Sequence, residues 1–166
     1  LSDSGVVSIE TDNNFSKTLP AVQASQANEI LKDSYNLGFL GLTEPVAELE
    51  LEKRLIEKIK IFMLELGKGF AYIGNQFRIE YNGKEYFVDL LFSNRKLNCL
   101  VAIDLKIGEF KSEYVGKMNM YLSLLDKLEK EETENQSIGI ILCAEKDHLD
   151  VELALQDINK PIAVSD

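Results

Sequence analysis

The sequence predicts an α/β domain in which antiparallel hairpins and a parallel crossover share one central sheet flanked by helices. Three observations lead there. Asn82-Gly83 lies between two strand-like runs, the strongest short hairpin signal available. Ile138–Cys143 is a continuous apolar run, the pattern of a strand covered on both faces. Between them, Tyr114, Met118, Tyr121, Leu125 and Leu128 recur at helical spacing over a stretch long enough to cross the sheet.

The elements follow in order. Residues 1–35 are rich in Ser, Asn, Asp, Gln and Thr and read as a polar tail or linker, with a short helix at Gln23–Lys32. The domain proper is expected over 36–166. Thr43-Glu44-Pro45 opens a helix, with Thr43 as cap and Pro45 in the first turn. Leu55, Ile59, Phe62 and Leu66 form its apolar face, and Gly67 and Gly69 stop it. Phe70–Ile73 and Gln76–Tyr81 are strand-like, as are Tyr86–Phe92 and Leu97–Lys106, the latter two joined by the turn Ser93–Lys96. A helix at Ser112–Lys130, the strand at Ile138–Cys143, a helix at Val151–Ile158 and a short strand at Pro161–Val164 complete the order.

Bulk properties narrow the function. No apolar run approaches the roughly 18 residues of a membrane span, and LSDSGVVSIETDN has neither the basic start nor the apolar core of a secretory signal. Cys99 and Cys143 fall in apolar runs as buried thiols, which makes a reducing cytoplasm the expected location. A net charge of −10 argues against a broadly basic surface. Its distribution is uneven: residues 68–117 carry eight Lys/Arg against six Asp/Glu, leaving ten against twenty-two elsewhere. The only histidine, His148, reads as a surface residue and supports no Ser/His/Asp triad. The Phe and Tyr residues are too scattered for a base-stacking platform.

The chemistry concentrates in two strands. Asp104 and Lys106 interrupt VAIDLKI and, by strand alternation, point to one side. Asp89 is the other carboxylate inside an apolar strand, in YFVDLLF. If Ser93 pairs with Asn98, then Asp89 pairs with Ala102, and Asp89 and Asp104 become diagonal neighbours at roughly 7 Å. A loop of odd length would put them on opposite faces. At about 100° per residue, Glu52 lies on the core-facing stripe of the first helix and must find a partner or lose its charge. Glu48, one turn earlier, is the reserve. Converging carboxylates repel unless a cation sits among them, and oxygen-only ligation suits Mg²⁺ or Mn²⁺ rather than Zn²⁺. Such an ion polarises a phosphate oxygen and activates water, and Lys106 is placed to orient that water or neutralise charge on phosphorus.

Asp89 followed by Asp104-Leu105-Lys106 across a hairpin, with a helical Glu upstream, resembles the PD-(D/E)XK nuclease superfamily. More closely, YFVDLLF, LVAIDLKIGEFKSEYVGKMNMYL, GIILC and DINKPIAVS resemble the C-terminal nuclease domain of the YhcG-like family of bacterial proteins. The resemblance covers roughly residues 36–166, and FSKTLP and EILKDSYNLGFLGL look like the linker before that domain. It implies a restriction-endonuclease-like core and metal-dependent cleavage of DNA, including branched or damaged DNA as candidate substrates. Carried over, Asp89 and Asp104 are metal ligands, Leu105 contributes its backbone carbonyl, Lys106 is the catalytic lysine and Glu52 the helical acid. Two departures stand out: Asp104 replaces a more usual Glu, and Lys117 stands where many relatives have Gln. A DNA-associated N-terminal domain, outside this sequence, is also implied. No membrane partner is expected, and a homodimer is left open.

Plainer readings stand beside these. Asp104 with Lys106 is also the pattern of a structural ion pair at a sheet edge, and Glu52 that of a stripe-edge residue reaching solvent. Tyr114, Lys117 and Arg78 are the minority candidates for nucleic-acid contact, with core, flank or solvated positions as the default. The competing function is a catalytically inactive PD-(D/E)XK fold kept as a DNA- or protein-binding module.

Overall fold

The computed structural model describes residues 12–41 and 46–166. The helical elements α1 (Phe15–Thr18) and α2 (Ala21–Ile30) come first, then α3 (Glu48–Glu57) and α4 (Ile59–Leu66). Strands β1 (Phe70–Tyr81), β2 (Lys84–Asn94) and β3 (Cys99–Leu105) lead into α5 (Glu113–Leu128), β4 (Ile138–Leu142), α6 (His148–Leu155) and β5 (Ile162–Ser165). The five strands lie in the order β1-β2-β3-β4-β5. β1, β2 and β3 pair antiparallel, while β3–β4 and β4–β5 are parallel, as the hairpin and crossover signals require. No helix among the described residues is long and apolar enough to cross a membrane.

Alternation along β3 sorts its side chains between two cores. Val101, Ile103 and Leu105 meet α2, α3 and α4, while Leu100 and Ala102 meet α5 and α6. Asp104 shares the phase of Leu100 and Ala102, so it faces α5. The crossover helix sits hard against the sheet at Gly139, where an added Cβ would lie 2.6 Å from Met118 Cγ. Any side chain there would force the buried Met118 side chain out of its place.

The expected tail is instead part of the fold over residues 12–35. Phe15, Leu19, Ala24, Ala27, Leu31 and Tyr35 are buried in the same core as β3. Asn13 bridges antiparallel to Ala163. The Asn14 carboxamide accepts from Ile162 N at 2.7 Å and donates to Lys160 O at 2.8 Å. This segment therefore covers the free edge of β5, which a solvent-exposed edge strand otherwise leaves unpaired. Lys146 fastens it through Asp12 Oδ2 at 2.6 Å and through Asp33, and His148 Nδ1 meets Asp12 Oδ1. His148 thus touches the Asp12 carboxylate and is only partly exposed, unlike the plain surface residue expected. Polar composition misled here because the polar side chains satisfy β5's backbone while the sparse apolar ones reach the core.

Smaller departures have local causes. The Thr43 cap lies outside the described residues. The expected single helix is broken at Lys58, whose Nζ donates to Phe39 O at 2.8 Å. The two short runs before Asn82 form one strand with a bulge between Tyr72 and Gly74. The β2–β3 turn moves on by one residue, because Asn94 Oδ1 accepts from the N–H groups of Lys96 and Leu97, each at 3.0 Å. Asn94 then pairs with Cys99.

Phe15→Ala tests whether the N-terminal segment belongs to the folding unit. It should lower stability by about 3–5 kcal/mol in chemical denaturation, the usual cost of emptying a buried phenylalanine site. A tail would show no change.

Candidate active site

The shift of the turn decides the site's geometry. The β2–β3 ladder ends at Leu90↔Ile103, so one further step sets Asp89 beside Asp104 directly rather than diagonally. The expected register was out by two residues, but a loop of even length was retained, and the two carboxyl groups do meet. Past that point, the Leu105 N–H donates to Asp89 Oδ2 at 2.9 Å. A side chain has replaced backbone pairing there, opening the strands where the acids meet.

Asp104 is only 3% exposed, and its Oδ2 has no hydrogen-bond partner. Lys106 Nζ stands 3.7 Å from that oxygen, beyond hydrogen-bond reach. Burial pushes the Asp104 carboxyl up to about 7, and hydrogen bonding and charge from Asp89 push the same way against the pull of Lys106 and Lys117. Burial beside a second carboxylate therefore favours the protonated form of Asp104.

Lys106 is anchored from several sides. Its N–H donates to Leu142 O at 2.8 Å, Nζ lies 3.9 Å from Glu48 Oε2, and the Tyr114 ring centroid is 4.8 Å from Nζ. Tyr114 is edge-on to Phe110, which fixes the ring on which the ammonium rests.

Glu52 is buried as the helical stripe required, but it does not meet the two aspartates directly. Gln76 Nε2 donates to Glu52 Oε2 at 2.7 Å and lies 3.4 Å from Asp89 Oδ1. Asn75 Nδ2 lies 3.4 Å from Glu52 Oε1, and Asn75 accepts from the Tyr72 hydroxyl at 2.7 Å. The expectation of three carboxylates around one ion is corrected accordingly: among the described residues, no three His, Cys, Asp or Glu are grouped to hold a metal. Glu52 is separated from the pair by one carboxamide. Glu48, the reserve, reaches Lys106 instead.

Gln76 and Asn75 escaped the sequence reading. The available signal was Gly74-Asn75-Gln76 interrupting a strand. Gln76 adopts φ +46, and with this left-handed backbone near the bulge its side chain reaches Glu52 and Asp89. Lys117 feels both aspartates: its pKa is raised, because Tyr121 and the two carboxylates outweigh the effect of burial. Its ammonium lies 5.6 Å from the Tyr121 ring centroid. Arg78 is elsewhere, held between Glu80 and Glu85 on the outer face of the hairpin. Its charge is already met by two carboxylates.

The donor set fits a hard divalent cation. It offers carboxylate oxygens, one of them buried and without a hydrogen bond, and no sulfur or imidazole.

Comparison with known proteins places the fold and the family. EndoMS in an EndoMS-dsDNA2 complex superposes with a TM-score of 0.50 at 16% identity, covering 74% of this chain and 47% of that one. A repair endonuclease from Pyrococcus abyssi gives 0.49 at 16% identity, covering 75% and 48%. The shared fold is restriction-endonuclease-like. YhcG of Escherichia coli (strain K12) is 37% identical over 147 residues, covering 89% of this chain. This chain spans only 39% of that relative's length. The family model describing the YhcG PDDEXK nuclease domain matches residues 28–166, and the chain belongs to that family.

Proposed function

We propose that this nuclease domain hydrolyses phosphodiester bonds in DNA with a divalent cation, Mg²⁺ or Mn²⁺, held by Asp89, Asp104 and the Leu105 carbonyl. The observation that carries this reading is the buried, unbonded Asp104 Oδ2 set against a second carboxylate, with a lysine two residues along the strand. A hydrogen-bonded ion pair would bring Lys106 into contact with this oxygen; here Nζ stops 3.7 Å away. When bound, the cation supplies Lewis-acid polarisation of the phosphate and a more acidic water.

The chain's own residues do the rest. Lys106, held by Glu48 and Tyr114, presents its ammonium to the attacking water and to the charge growing on phosphorus. Gln76 ties Asp89 to Glu52, so the helical acid acts by orienting a ligand rather than as a ligand itself. Lys117 and Tyr114 lie on the side from which the backbone of a substrate would approach; Arg78, spent on its glutamates, is outside that face. EndoMS shares the fold and is described with dsDNA, which makes duplex DNA the first substrate to test. A net charge of −10 opposes tight binding by this domain alone, so DNA retention is assigned to the remainder of a longer protein or to a second copy.

Cleavage of linear and branched DNA should require Mg²⁺ or Mn²⁺ and stop in EDTA. Asp104→Ala should abolish it, and Lys106→Ala should slow it roughly 100-fold or more. If either variant cleaves as the parent does, the active centre lies elsewhere. Gln76→Ala should raise the Mg²⁺ concentration for half-maximal cleavage by about tenfold or more.

Asp104 also gives a pH test. Its folded pKa is raised above the ordinary value, so its stabilising contribution is complete below that ordinary value and is lost as pH rises through about 7. Without metal, the melting temperature should therefore fall between about pH 5 and about pH 8, and Asp104→Asn should remove that fall. Added Mg²⁺ should stabilise the parent more at the higher pH, where no proton competes for the site.

A further inference from the structure

A second feature lies along α5, away from the carboxylates. The Asn82-Gly83 turn brings Tyr81 and Tyr86 together on one face of the β1–β2 hairpin, since Tyr81 pairs with Lys84 and Ile79 pairs with Tyr86. That face closes on α5 around a groove of about 280 Å³ lined by Tyr81, Tyr86, Met120, Ser123, Leu124 and Lys127. Tyr81 is 40% and Met120 38% exposed, so the apolar lining is open to solvent. Lys127 Nζ lies 5.9 Å from the Tyr81 ring centroid. Among the described residues no ion pair engages Lys127 or Lys84.

The hairpin separates its charges by face. Arg78, Glu80, Glu85 and Phe87 alternate onto the outer side, where the arginine is paired with both glutamates. Lys84, paired with Tyr81, shares the groove's face of the hairpin, and the groove's own lining holds Lys127 and no carboxylate. On an acidic protein, an aromatic slot with the Lys127 ammonium over one of its rings suits a ligand with a flat ring and a negative backbone. On α5, Lys117, Met120, Leu124 and Lys127 follow one another at intervals of three, four and three residues, which is one helix face. That stripe runs about 15 Å from the carboxylate end to the groove, a span of a few nucleotides.

We propose that this groove binds an unpaired nucleotide of the substrate strand, with its base stacked on Tyr81 and Tyr86 and its phosphate met by Lys127 and Lys84. The proposal rests on the nuclease reading above and deepens it: the substrate would be a strand with single-stranded character near the cut, not a fully paired duplex alone. A second copy of the chain seated in the groove is the competing occupant.

The test uses the whole chain at low salt in EDTA, with a short fluorescein-labelled DNA single strand and the matching blunt duplex followed by anisotropy. Tyr81→Ala and Tyr86→Ala should each weaken single-strand binding roughly fivefold or more, with a smaller effect on the duplex. Tyr81→Phe should retain parental affinity, and Lys127→Gln should weaken binding and flatten its salt dependence. Arg78→Ala, on the outer face, serves as the hairpin control. The proposal is overturned if the alanine variants bind as the parent does, or if Arg78→Ala weakens binding as much as they do. It is also overturned if Tyr81→Ala changes only the molar mass seen by light scattering, which would make the groove a self-association surface. Metal-dependent cleavage by the parent separates the two failures: a parent that cuts while the groove variants behave normally leaves the nuclease reading standing, whereas a parent that neither binds nor cuts removes both.

Discussion

Two carboxylates placed side by side where water is scarce form the constraint on which the rest of the site depends. Like charges at short range cost several kcal/mol even at the effective dielectric of a partly buried site, and desolvation adds to that cost. Asp89 and Asp104 therefore need a proton or a cation between them, and the buried Asp104 oxygen without a hydrogen bond marks the place. The β2–β3 ladder cannot continue through such a pair and also leave room for a ligand. Its end at Leu90↔Ile103, with the Leu105 N–H turned to Asp89, is the backbone's answer.

The surrounding irregularities serve that opening. The bulge in β1 and the left-handed Gln76 bring a carboxamide between Glu52 and Asp89. A regular strand would alternate its side chains on schedule and could not direct both Asn75 and Gln76 at the same glutamate. A non-glycine residue at positive φ costs of order 1–3 kcal/mol and persists where neighbours over-determine it. Here the two acids at either end of the carboxamide are those neighbours. Lys106 is treated oppositely, with a regular backbone and an ammonium confined by Glu48 and Tyr114.

How much of this the sequence disclosed follows from the range of each interaction. The hairpin, the crossover helix and the apolar β4 were legible because their signals are local periodicities. Asp89 and Asp104 were legible as a pair because sharing a face needs only an even loop, although their contact depended on a turn fixed by the Asn94 side chain. Glu52 was found from its helix phase, but its separation from the aspartates was hidden, since a stripe gives direction and not reach. Gln76 was invisible because a left-handed strand residue is chosen by its tertiary partners. The segment 12–35 was misread because composition cannot show that Asn14 is bonded to β5. The tyrosines looked scattered because a count along the chain ignores the hairpin that folds Tyr81 beside Tyr86.

The distribution of charge joins these points into one physical picture. An acidic domain repels a polyanion at long range, but beyond about 8–10 Å that repulsion is screened at physiological salt, whereas contacts inside that distance act with little loss. Lys106, Lys117, Lys127 and Lys84 act on that short scale. They lie along the α5 side of the sheet, while the outer hairpin face neutralises its own arginine. On the proposed reading, the domain does not draw DNA in. It accepts a strand already delivered, grips it locally by lysine and tyrosine, and places one phosphate against Asp89 and Asp104. Delivery is then not this domain's own task. Weak intrinsic affinity would in that case be a source of selectivity, since duplex met by chance would leave before an unpaired nucleotide could find the groove.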